Sequence, residues 1–213
     1  VTIVVDALVI ACGVVVGRVI GRVIRSRREK GAAAGAPAAT STAVAPAPPR
    51  DLLESFPCKL GDVVVRRAER DEAWLAGALV FSEDSPRAAL FVAPEAGTDR
   101  ALFVRELAGA PLVWLAPLPA NALGFTGEPP HVVEHESTRF ERVRRLPVRV
   151  DRLGTGTPVV GSTAVIAEYE GRGSERMVVV AGGEATLAWR GVALAEDEYD
   201  LLPGGKSTLG ESA

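Results

Sequence analysis

Lysine, cysteine, histidine and methionine are all scarce in this chain of 213 residues. Lys30, Lys59 and Lys206 are the only lysines, so arginine carries nearly all the positive charge. With alanine and valine abundant, that bias points to a GC-rich bacterial coding sequence. Cys12 and Cys58, the only two cysteines, are too few for a disulfide scaffold. One lies in an apolar run and the other follows Phe56-Pro57, so they are not expected to pair, which fits a reducing compartment. Two histidines leave few ways to build a base or a metal site. Apolar residues are not scarce. At 47% of the chain they supply a sizeable core and exclude global disorder.

Net charge is −3 and unevenly spread. The first thirty residues hold six basic side chains against Asp6 and Glu29, a local +4, so the rest carries −7. An acidic body repels phosphate backbones, and nucleic-acid binding is not expected.

The basic cluster follows an apolar stretch. From Val1 to Gly17 the only clearly polar residues are Thr2 and Asp6. Seventeen helical residues span roughly 25 Å, slightly less than a hydrocarbon core of about 30 Å. Val19, Ile20, Val23 and Ile24 continue the apolar character, and Arg18 and Arg22 can extend their stems toward headgroups. A single transmembrane helix with a basic juxtamembrane segment is therefore expected over 1–30. Arg18, Arg22, Arg25, Arg27, Arg28 and Lys30 all lie on its C-terminal side. They place the remainder in the cytoplasm and suit anionic lipid headgroups of a bacterial inner membrane. Gly13, Gly17 and Gly21 recur every fourth residue, a glycine-zipper face through which two such helices can associate as a homo-oligomer. Two rivals use the same residues. Val9-Ile10-Ala11-Cys12 matches a lipobox, which would make an exported lipoprotein anchored at Cys12, but no positive charge precedes it. A soluble amphipathic helix would need a polar face, and none precedes Arg18.

Residues 31–50, rich in Ala and Pro and without aromatics, read as a disordered linker. From about Leu52 the texture changes to short apolar, β-branched and aromatic runs broken by turn residues. Strands are predicted at 62–67, 74–82, 88–93, 101–106, 112–117, 139–148, 163–170, 176–182 and 185–191. Hairpin turns are predicted at 82–87 and 170–176, and short helices are allowed near 51–56 and 194–201. A mainly β domain is thus expected over 51–205, followed by a tail at 206–213. "AGALVFSEDSPRAALFVAPE" can be laid beside "STAVIAEYEGRGSERMVVVAGGE", which suggests two related halves.

Three stretches carry a further resemblance. The ending "AEYEGRGSERMVVVAGGEATLAWRGVALAEDEYDLLPG", with "HVVEHESTRFERV" upstream and "KLGDVV" near the start, resembles the bacterial domain-of-unknown-function family 4178 over about 58–205. The resemblance implies β-rich repeats with a Tyr-Glu-Gly turn, a Trp-containing strand and a closing acidic strand. It implies a genomic context near membrane-stress and polyamine-related genes. It brings no reaction and no catalytic residues, and the N-terminal anchor is not part of the family's pattern.

Candidate chemistry is thin. "HVVEH" (131–135) has the spacing of an inverted zincin motif, with His131 and His135 as zinc ligands and Glu134 as base. That chemistry needs a helix, whereas Val132 and Val133 favour a strand. "GGKST" (204–208) lacks the earlier glycine of a phosphate loop, Asp200 standing there instead. The acidic run Glu196, Asp197, Glu198 and Asp200 lacks the pattern of a calcium loop and reads as a solvated face or a dock for a basic partner. Ser162 and Ser174 have no nearby histidine. Trp74, Trp114 and Trp189 sit in apolar strands and are expected in the core, a ligand-facing rim being the alternative. No catalytic, cofactor or metal residue is assigned. The expectation is a non-enzymatic, membrane-anchored β-domain that binds or scaffolds a protein in envelope maintenance. The competing enzyme is a zinc-dependent hydrolase built on HVVEH.

Overall fold

The computed structural model describes residues 51–94, 99–183 and 185–204. The apolar run, Cys12, the three zipper glycines, the basic segment and the linker lie outside the described residues, as do 205–208 of GGKST. Among the described residues no helix is long and apolar enough to cross a membrane.

The described chain is mainly β. The strands run β1 (Val63–Arg66), β2 (Asp71–Trp74), β3 (Gly77–Ser82), β4 (Pro86–Ala93), β5 (Arg100–Arg105) and β6 (Leu112–Pro117), and continue with β7 (Val132–His135), β8 (Thr138–Gly154), β9 (Thr163–Glu170), β10 (Glu175–Gly182), β11 (Ala185–Leu194) and β12 (Tyr199–Leu202). Two antiparallel meanders, β3 to β6 and β8 to β11, are joined at both sides. β6 pairs with β11 from Leu112↔Leu194 to Pro117↔Trp189. β3 pairs with β8 from Gly77↔Gly154 to Ser82↔Arg149. These eight strands close into a barrel. Closure pairs edges that would otherwise invite aggregation. The short β7 takes the N-terminal stretch of β8, from Thr138 to Glu141.

Alternation along the strands decides what fills the barrel. Leu79 and Phe81, Leu90, Phe103, Leu115, Ile166, Val178 and Val180, and Trp189 point inward and form one buried cluster. The lumen is a packed core. Gly191 lets β6 and β11 approach, because a Cβ there would stand 1.8 Å from the Trp114 carbonyl oxygen.

Two outer layers cover the barrel. The sheet β12–β1–β2 and the turn beginning at Asp51 lie over β3 to β6, burying Leu53, Phe56, Cys58, Val64, Leu75, Phe91 and Trp114. The connection from β6 to β7 crosses the other side, where Leu118, Leu123 and Phe125 meet Tyr169, Met177 and Val179. The Tyr169 hydroxyl donates to the Pro130 carbonyl at 2.7 Å, tying that strap down.

Each predicted strand region contains an observed strand, with one break. The stretch 74–82 is not continuous: Trp74 ends β2 in the outer sheet, and Gly77 starts β3 in the barrel. Trp74 is therefore a correction. It is 60% exposed, while Trp114 and Trp189 are 4% exposed, as core residues should be. The helices allowed at 51–56 and 194–201 are a turn and a three-residue 3-10 helix at Glu196–Glu198 followed by β12. The two similar stretches form the hairpins β3–β4 and β9–β10.

Candidate functional site: an acidic groove and an exposed apolar row

HVVEH forms β7 with its flank, not a helix. A tight turn follows, with Glu136 and Ser137 both at positive φ, as a two-residue hairpin requires. On a strand His131 and His135 share one side and Glu134 points to the other, so the zincin arrangement is not formed. Among the described residues no three His, Cys, Asp or Glu side chains gather as metal ligands would. Ser162 and Ser174 lie exposed outside the regular strands.

The acidic run is partly engaged. Asp200 takes a two-point grip from Arg67, at 2.6 and 3.1 Å. That hydrogen bond, more than the nearby charge, holds the Asp200 carboxyl below its ordinary range. Glu198 accepts from the Ala195 N–H at 2.7 Å and caps the 3-10 turn. Glu196 and Asp197 stand exposed in that turn.

Glu196 borders a groove of about 700 Å³. One wall is the β5–β6 turn, Glu106 to Pro111, in which Gly109 adopts φ +75°. The facing wall combines Ser55–Pro57 with Leu194, Ala195, Glu196 and Tyr199. Lys59 fixes the first part of that wall by donating from Nζ to the carbonyls of Leu53, Glu54 and Phe56. The Asp62 carboxylate accepts from the Lys59 N–H at 2.7 Å and the Gly204 N–H at 2.8 Å, joining this turn to the end of β12. Burial, with help from Cys58 and Glu196, raises the Tyr199 phenol. Cys58 beneath it is buried, and burial, with a smaller push from Asp62, drives its thiol up to about 12.

Arg105 also lines the groove but is engaged elsewhere. It reaches into the barrel mouth, where Nε and Nη2 approach one oxygen of Glu168 at 2.7 and 2.5 Å. Arg144 stands 3.7 Å from the other oxygen. The Glu168 side chain is only 7% exposed, and its carboxyl is raised because desolvation outweighs both guanidinium groups. The sequence places Glu168 in the strand predicted at 163–170 and assigns it no role. Its even spacing from Ala164 and Ile166 was the signal that it faces inward.

The second feature lies on the solvent side of the outer sheet. Register places Leu202, Val63 and Trp74 in one row across β12, β1 and β2. Trp74 is 60% and Leu202 52% exposed, and Leu60 is 36% exposed. The next row is Asp200, Val65 and Glu72, with Glu72 exposed.

These features define a closed antiparallel β-barrel with two covering layers, carrying an acid-lipped groove and an uncovered apolar row. No family model matches the chain, and neither a curated protein nor a solved structure resembles it significantly.

Proposed function

We propose that the chain is a single-pass protein of the bacterial inner membrane whose β-domain lies in the cytoplasm and binds a protein partner. The apolar run of residues 1–17, with basic side chains only on its C-terminal side, supports the topology. The observation that carries the binding role is the row Leu202–Val63–Trp74. An exposed tryptophan flanked by aliphatic side chains on a rigid sheet is the kind of anchor that dominates protein interfaces. The partner presents an apolar face with a basic side chain set against Glu72. The −7 borne beyond residue 30 favours the same charge.

A photocrosslinking side chain at Glu72, in the full chain in native membranes, tests this. One discrete adduct is expected, lost in a Trp74→Ser variant and absent when the probe sits at the exposed Arg172. An adduct indifferent to Trp74, or equal at the two positions, refutes the binding role. Protease added to spheroplasts should leave the β-domain intact. Its digestion refutes the topology.

A further inference from the structure

Resting on the reading of the chain as a protein-binding domain, we infer that the groove beside the β5–β6 turn receives an extended segment of the partner, one large apolar side chain flanked by lysine or arginine. The floor favours the apolar side chain. Phe56, Leu112 and Leu194 are buried in the layer beneath, and they also line the cavity. Leu107, on the turn, also lines the groove and is 65% exposed. A volume of about 700 Å³ is large for one side chain and suits several residues in sequence.

Charge decides the flanks. Glu106 and Glu196 both line the groove, and Asp197 follows directly. The guanidinium of Arg105 is held by Glu168 in the barrel mouth, and Arg87, 3.3 Å from Glu83 and 3.9 Å from Glu106, is shared between those two carboxylates, so the groove lining keeps a net negative charge that is fullest at Glu196. An acidic segment meets net negative charge along the groove, whereas a basic one is attracted and oriented. The wall is also prepared in advance, because Lys59 and Asp62 brace the turn that carries Phe56. Little ordering remains for binding to impose.

The test uses the full chain in detergent micelles and two labelled peptides, each with one phenylalanine, flanked in one by lysines and in the other by aspartates. Fluorescence anisotropy should show saturable, salt-sensitive binding of the lysine peptide alone. A Glu106→Lys/Glu196→Lys double variant should weaken it at least tenfold, an Arg172→Ser variant at an exposed turn should leave it unchanged, and Trp74→Ser tells the outer sheet from the groove. Both glutamates are exposed, so the variant is expected to fold, which circular dichroism checks. Equal binding of the two peptides, or full affinity in the double variant, overturns the inference. Loss of binding in Trp74→Ser alone places the peptide on the outer sheet, overturning the groove while leaving the binding role intact. No binding of either peptide, while the Glu72 adduct persists, overturns the groove inference alone. The absence of that adduct as well removes both.

Discussion

Replacing Arg105 with methionine isolates the buried pair at the barrel mouth. The loss leaves Glu168, 7% exposed, with only Arg144 at 3.7 Å. Removing one partner of a buried ion pair costs about 3–5 kcal/mol, because the remaining charge stays desolvated. Arg105 is itself 31% exposed, so its charge is partly screened by solvent. The lower end, about 3 kcal/mol once Glu168 is ionised, is therefore expected, a fall in Tm of about 6–12 °C for a domain of this size. The sign of the pH dependence follows from the raised carboxyl. Folded Glu168 keeps its proton at pH values where the unfolded chain has lost it. Its stabilising contribution is full below the ordinary carboxylate range and disappears as pH rises through the folded value. Arg105 pulls that folded value down, so the variant's value is higher still. The deficit of Arg105→Met against the parent should thus be small in acid and grow as pH rises through the folded Glu168 values of the two proteins. Adding Glu168→Gln should recover most of it, since no charge is then stranded. Urea unfolding followed by tryptophan fluorescence across that pH range measures both effects. A deficit independent of pH, or a double variant as unstable as the single one, refutes the reasoning.

Other substitutions probe the rest of the fold. Gly191→Ala drives a methyl into the Trp114 carbonyl and should cost about 3 kcal/mol or more, read by the urea midpoint. Trp189→Ala empties part of the barrel core and should cost about 3–5 kcal/mol, whereas Trp74→Ser on the open face should stay within about 0.5 kcal/mol of the parent. Cys58, its thiol raised by burial to about 12, should resist a thiol reagent at neutral pH in a Cys12→Ser chain, and react only as urea opens the domain.

Much of the barrel was legible because several of its strands are buried on both faces. Leu79 and Phe81 point inward while Ala78 and Val80 face the covering layer, and both sides are apolar because both are buried. That double burial gives continuous apolar runs, and the runs mark the strands. β2, β7 and β12 have only four residues each, too few for a period to emerge. The fate of Trp74 was hidden for a related reason. "WLAGALVFS" reads as one run, but the chain leaves the outer sheet at Leu75–Ala76 and enters the barrel at Gly77. Closure was not legible at all. The β3–β8 seam joins residues about seventy positions apart, and no local pattern encodes that pairing. Glu196 was noted as part of an acidic run, but its place on a groove depends on the β5–β6 turn opposite.

The filled lumen constrains where function can reside. Small barrels that bind ligands inside keep a cavity, whereas here Phe81, Phe103 and Trp189 occupy the interior among aliphatic side chains. The barrel closes on itself through the β3–β8 and β6–β11 pairings, so its own strands leave few backbone groups for a partner to pair with. What it offers is rigidity, and the chemistry left for recognition lies in the layers laid upon it. The strap from β6 to β7 turns Leu118, Leu123 and Phe125 inward and uses its apolar side chains against the barrel. The outer sheet differs. Val64, Ala73 and Leu201 already meet the barrel, yet Trp74 and Leu202 repeat the apolar pattern on the opposite face. A sheet that needed only to cover the barrel would be expected to carry polar residues there, as Asp200 and Glu72 do one row away. Among the described residues that second apolar face packs against no other layer, and this asymmetry is the physical reason for placing the proposed partner on it.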